Sequence, residues 1–129
     1  MDEQAMKQHG AFSWNELMTT DIAGAKGFYR DLLGWKLQDE KMPDLTYTMI
    51  KSEGREIGGM MAIPPDAQGM PPAWGAYVTV DDVDGQMARV EQLGGKVLMP
   101  PRDIPEVGRF AVISDPQGAM LTLITYTCQ

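Results

Sequence analysis

Residues Trp14–Trp35, WNELMTTDIAGAKGFYRDLLGW, decide how this chain folds, because residues Gly75–Lys96, GAYVTVDDVDGQMARVEQLGGK, repeat their design. Each stretch reads as a short strand, an aspartate suited to capping a helix, an amphipathic helix and a Leu-Gly stop. Asp21 corresponds to Asp82 and Gly34 to Gly95, both at an offset of 61. Few residues are identical between the copies. What repeats is therefore a pattern of structure, which speaks to fold before it speaks to function.

Working outward from the first copy, residues 12–19 alternate as a strand, with Trp14, Glu16 and Met18 on one face and Asn15, Leu17 and Thr19 on the other. Ile22, Ala25, Phe28, Tyr29, Leu32 and Leu33 recur at helical spacing until Gly34. Strands are expected over 35–39, 45–51 and 56–63, with a turn at Met42-Pro43-Asp44. Residues 64–73, PPDAQGMPPA, hold four prolines and cannot continue a helix or a central strand. Beyond them the order recurs: a strand over 74–80, a helix capped by Asp82 and ended by Gly94-Gly95, and a strand over 96–99 broken at Pro100-Pro101. Strands over 108–114 and 119–125 follow, joined by the turn Asp115-Pro116-Gln117-Gly118. The expected fold is α+β, two tandem βαβββ modules forming a curved mixed sheet around a central cavity. The organisation is a flexible N-terminal segment (1–10), a first module (11–63), a Pro-rich linker (64–73) and a second module (74–129).

Size supports a shared core, since a module of roughly 60 residues alone buries only about 60% of its unfolded surface. The formal charge of −7, from 18 acidic against 11 basic residues, speaks against nucleic acid as a partner. No apolar run reaches the roughly 18 residues of a membrane span, and the start MDEQAMKQHG lacks a signal-peptide pattern. The one cysteine, Cys128, cannot form an internal disulfide, so a cytoplasmic location is expected. His9 is the one histidine, which excludes a His-rich metal site within a subunit.

The paired βαβββ pattern, the AKGFYRDLLGW block after an acidic cap and the late FAVISDPQGAMLTLI segment resemble the glyoxalase/bleomycin-resistance family, the vicinal-oxygen-chelate superfamily. The resemblance runs from about Phe12 to Tyr126. Metal enzymes of that family place His and Glu donors on the first and last strands of each module. Carried onto this chain, those positions fall on Trp14, on Gly75, on Thr122 and on Gly58 or Gly59. None is a usual divalent-metal ligand, so the resemblance implies a cavity with no metal and no cofactor. It also implies a homodimer, with modules paired within a chain or exchanged between chains.

Trp14, Met18, Tyr77 and Trp74 would give such a cavity an aromatic and thioether lining, to which Met60-Met61 would add, unless these residues simply fill the core. Glu16 shares a face with Trp14 and Met18. Buried without a cation, its carboxylate would serve as a general base or accept from a ligand, and the alternative is a pairing with Arg109 or Arg102. Arg109 is a candidate for an anionic ligand group, Tyr47 and Phe110 for closing the ends of the cavity, and Thr122 for a ligand contact. The expected function is binding of a small organic molecule in a metal-free cavity. The alternative is a lyase, isomerase or dioxygenase of the same superfamily, metal-dependent or using Glu16 as base.

Overall fold

The structure, a computed structural model, describes residues 8–42, 45–63, 69, 71–104 and 107–127. Pro43-Asp44 of the expected turn, most of the proline-rich stretch and Cys128 lie outside them. The elements are β1 (Phe12–Thr19), α1 (Ile22–Leu33), β2 (Lys36–Met42), β3 (Leu45–Ser52), β4 (Arg55–Ala62), β5 (Ala73–Thr79), α2 (Val83–Gln92), β6 (Lys96–Ile104), β7 (Gly108–Ser114) and β8 (Met120–Tyr126). This is βαβββ twice, an α+β fold. The chain divides into two compact units, Asn15–Gly75 and Ala76–Gln129 with Met1–Trp14, so the division falls inside β1 and β5.

In the 15–75 unit the strand order is β2-β3-β4-β1, antiparallel except for the parallel pair β1 and β4. α1 starts where the Asp21 carboxylate accepts the Gly24 N–H at 2.9 Å, and it stops where Gly34 turns left-handed at φ 70°. Its Ile22, Ala25 and Tyr29 pack over Leu17, Ile50 and Met60. Ile50 and Met60 are sealed from water, each contributing roughly 1.5–3 kcal/mol by burial.

The 76–129 unit has the order β5-β8-β7-β6, again mixed, with β5 parallel to β8. Val80, Val83, Ala111 and Leu123 form its core, with Met87 and Val90 of α2 against them. Two sequence expectations change here. The Asp82 side chain makes no capping bond; the Thr125 hydroxyl accepts the Val83 N–H instead and donates to the Val80 carbonyl, each at 2.9 Å. And β6 runs through Pro100-Pro101 to Ile104, its register against β7 slipping on either side of Met99. Among the described residues of this unit β6 pairs with β7 alone, so the missing proline N–H groups interrupt one ladder rather than two.

Candidate functional site

Strand alternation sets the site of the 15–75 unit. Leu17 points to α1, so Glu16 and Met18 leave β1 on the opposite face. Parallel pairing puts Glu16 beside Gly59 and Met18 beside Met61, and the β3–β4 register sets Met49 beside Gly59. Tyr47 leans across this face from β3. Its hydroxyl donates to Glu16 Oε1 at 2.9 Å. Glu16 is only 6% exposed, an unusual setting for a carboxylate, which as a rule is buried only with partners.

Gly59 is what lets the phenol reach. A Cβ built there would coincide with the hydroxyl and ring edge of Tyr47. A glycine inside a strand commonly marks such a close approach. Gly58 has the other reason for lacking a side chain: its Cβ would press on the Asn15 carbonyl oxygen at 2.6 Å, on the α1 side beside Ile50.

Trp74 and Arg109, by contrast, lie on the helix sides of their own units. Trp74 has joined Tyr29 and Trp35 on the α1 side, with ring centroids 5.5 and 5.9 Å away and its indole N–H donating to the Tyr29 hydroxyl at 3.1 Å. Trp35 and Trp74, with Asn15, Ile50, Ile57 and Gly58, line a groove of about 340 Å³. In the 76–129 unit Tyr77 pairs with Thr122, and Phe110 with Ile124, on the face turned from α2. Trp14 is half-buried at the start of β1. Arg109 points to the α2 side. Its Nε and Nη2 form a fork on Asp84 at 2.7 and 3.1 Å, and Nη1 donates to Asp103 at 3.0 Å. These carboxylates hold the guanidinium charged, and Arg109 in turn holds Asp84 below the usual carboxylate range. His9 accepts the Asp81 N–H at 2.9 Å, which fastens the approach to α2.

Among the described residues no cluster of three or more His, Cys, Asp or Glu side chains could hold a metal ion. The register also settles which glycine corresponds to Thr122. The repeat offset of 61 carries Glu16 onto Tyr77, Tyr77 pairs with Thr122, and Glu16 pairs with Gly59. The fourth-strand donor position of this unit is Gly59, and a phenol fills its space. The family's metal does not fit this donor set.

Residues 11–123 match the Glyoxalase/Bleomycin resistance protein/Dioxygenase superfamily, and the chain belongs to that family. Within it, the chain is 39% identical over 126 residues to a Mycobacterium tuberculosis protein named "Putative glyoxylase CFP32", a match covering 95% of this chain and 48% of that protein. It is 34% identical to the anthracycline biosynthesis protein DnrV of Streptomyces peucetius, over 85% of this chain and 45% of the relative. The chain thus spans about half the length of these curated relatives. In fold it is similar to methylmalonyl-CoA epimerase from Mycobacterium tuberculosis, with a TM-score of 0.66 at 18% identity over 99% of this chain and 94% of that one. A Streptomyces coelicolor methylmalonyl-CoA epimerase variant bound to 2-nitronate-propionyl-CoA gives a TM-score of 0.62 at 18% identity, over 94% of this chain and all of that one. No helix among the described residues is long and apolar enough to cross a membrane.

Two features of the site escaped sequence reasoning. The Tyr47–Glu16 bond joins residues 31 apart, and only the Gly58-Gly59 pair inside a strand signalled a close approach there. The aromatic cluster of Tyr29, Trp35 and Trp74 draws on α1, the residue just before β2, and β5, which no single periodicity links.

Proposed function

We propose that the chain binds a small organic molecule over the face carrying Glu16, with no metal in the contact. The observation that carries this reading is a carboxylate buried to 6% exposure and tied to a phenol, on a strand face where Met18, Met49 and Met61 supply adaptable apolar surface. The Streptomyces peucetius relative, named for anthracycline biosynthesis, supports a ligand of small organic chemistry. Tyr77, Phe110 and Thr122, on the face of their own unit turned from α2, are proposed as ligand contacts of that unit, and Trp14 as another. Trp74 would serve in its own groove, stacking on a flat ring. Arg109, already paired with Asp84 and Asp103, would have to leave them to meet an anion. The proposed assembly is a homodimer, to be checked by sedimentation.

The test is a thermal-shift screen of metabolites against the full chain, repeated with Glu16→Gln. A ligand at about 100 times its dissociation constant stabilises the fold by roughly 2.7 kcal/mol. Glu16→Gln should remove that shift. A ligand whose shift survives the substitution binds elsewhere, and a screen with no shifts counts against the reading.

The same carboxylate favours a second reading, a metal-free isomerase. Glu16 would take a proton from carbon beside a carbonyl, the C–H electron pair would pass into the enolate, and delivery of that proton from Glu16 to a different atom of the enolate system would complete the isomerisation. Glu16→Gln should then abolish turnover while leaving the fold intact.

A further inference from the structure

Metal-binding members of the family present a donor side chain from the fourth strand, and in this chain that position is Gly59. The position is not simply vacant. The hydroxyl of Tyr47, supplied from the neighbouring strand, stands where the first side-chain atom of residue 59 would stand, and it donates to Glu16 at 2.9 Å. We infer that Tyr47 has replaced the fourth-strand donor and that, with Glu16, it forms a phenol–carboxylate pair offering the ligand a Brønsted acid where relatives offer a metal ion.

The inference rests on the proposed ligand face and deepens it. Three consequences follow from the chemistry. A phenol is a poor ligand for a divalent ion at neutral pH because its proton must first be lost, and here that proton is engaged by the carboxylate. A hydroxyl donor suits a ligand bearing a carbonyl or enol oxygen, which can take over the Tyr47 proton donor and leave Glu16 to accept from a neighbouring ligand O–H or C–H. And Gly59 becomes a specificity-determining residue that touches no ligand, since any side chain there evicts the phenol.

The experiment uses the full chain, labelled with ¹³C at the methionine methyls and the glutamate carboxyl carbons and followed by NMR. Paramagnetic Co²⁺ added to one equivalent should leave the Met18, Met49 and Met61 methyls of the wild type sharp; selective broadening of these three would overturn the inference. Tyr47→Phe and Gly59→Ala should move the Glu16 carboxyl resonance in the same direction, because each withdraws the same hydroxyl. A Glu16 resonance unmoved in both overturns it, and Tyr47→Phe decides alone if Gly59→Ala does not fold. Acetylacetone, with an oxygen acceptor beside an acidic C–H, should perturb the three methyls, about tenfold more weakly bound in Tyr47→Phe. Equal binding to both proteins, or none to the wild type, counts against the pair as the ligand's contact. Failure here and failure of the proposed function are distinguishable. Metabolites that depend on Glu16 but ignore Tyr47→Phe would defeat this inference alone, while an empty screen beside a shifted Glu16 resonance would defeat only the other.

Discussion

Removing the Tyr47 hydroxyl tests the energetic weight of the site directly. Tyr47→Phe keeps the ring over Gly59 but deprives Glu16 of a donor 2.9 Å away. A hydrogen bond to a charged group contributes roughly 1.5–3 kcal/mol, and stranding a buried acceptor costs about 1–3 kcal/mol. Glu16 is 6% exposed, so water cannot easily replace the lost partner, yet Tyr47 itself is only half-buried and Glu16 makes further contacts. The expected loss is therefore in the lower part of those ranges, about 1–2 kcal/mol. With a urea m-value of roughly 2 kcal/mol/M, the unfolding midpoint should fall by about 0.5–1 M with the slope unchanged. A double-mutant cycle with Glu16→Gln isolates the pair, and its coupling should be about 1 kcal/mol. A coupling indistinguishable from zero, with both single variants folded, would show that the bond contributes nothing and would refute the reasoning.

The helix starts should respond unequally: Asp21→Ala should cost about 1 kcal/mol by removing the bond to Gly24, whereas Asp82→Ala should cost a few tenths and Thr125→Val more than either. Urea midpoints of the three variants check this. Gly58→Ala should destabilise by roughly 2–3 kcal/mol, since the Asn15 carbonyl oxygen 2.6 Å from the new Cβ is backbone and cannot swing away. A fully folded variant of unchanged midpoint would contradict it. For pH, the Asp84 carboxyl is lowered by its hydrogen bond to Arg109, so its stabilising contribution is present above the unfolded value near 3.8 and is lost as pH falls through the lower folded value. Arg109→Gln should be less stable at neutral pH, and its stability should decline less steeply in acid than that of the wild type, as read by thermal unfolding between neutrality and strong acid.

Local signals made most of the fold legible. The Asp21 cap, the Gly34 stop and the alternation through Leu17 and Glu16 each depend on neighbours within a few residues, and the structure follows them. Asp82 shows the limit of such signals: the same residue type stands at the same place in the repeat but makes no capping bond, and a threonine 43 positions later takes the first helical N–H, that of Val83. Pro100-Pro101 read as a break because a proline pair cannot sit in a strand bonded on both sides, and only the pairing of β6 with β7 alone shows why it can stay. The site was half legible. Parity placed Glu16 away from the helix, but the face of Tyr47 depends on how β3 pairs with β4, a register that shifts between Ile50 and Lys51 and that no count along β3 alone supplies. Trp74 is kept from the Glu16 face by its contacts with Tyr29 and Trp35 on the α1 side, which no pattern in the sequence announced.

The repeat itself explains why the two units would not take a metal in the same way. Equivalent positions hold Glu16 and Gly59 in one unit but Tyr77 and Thr122 in the other. In the first, a carboxylate stands on β1 beside a fourth-strand residue with no side chain, whose space a phenol from β3 takes. In the second, a side chain is present on both strands, and neither is an imidazole or a carboxylate. Restoring a donor to the first unit with Gly59→His would therefore bring the imidazole against Tyr47 rather than into open space. Tyr47 must leave before a metal can enter. Gly59→His with Tyr47→Ala should retain Co²⁺ more tightly than Gly59→His alone, because only the double variant frees the room in which the introduced imidazole and Glu16 could share an ion; equal retention by the two would mean that the phenol does not guard the position.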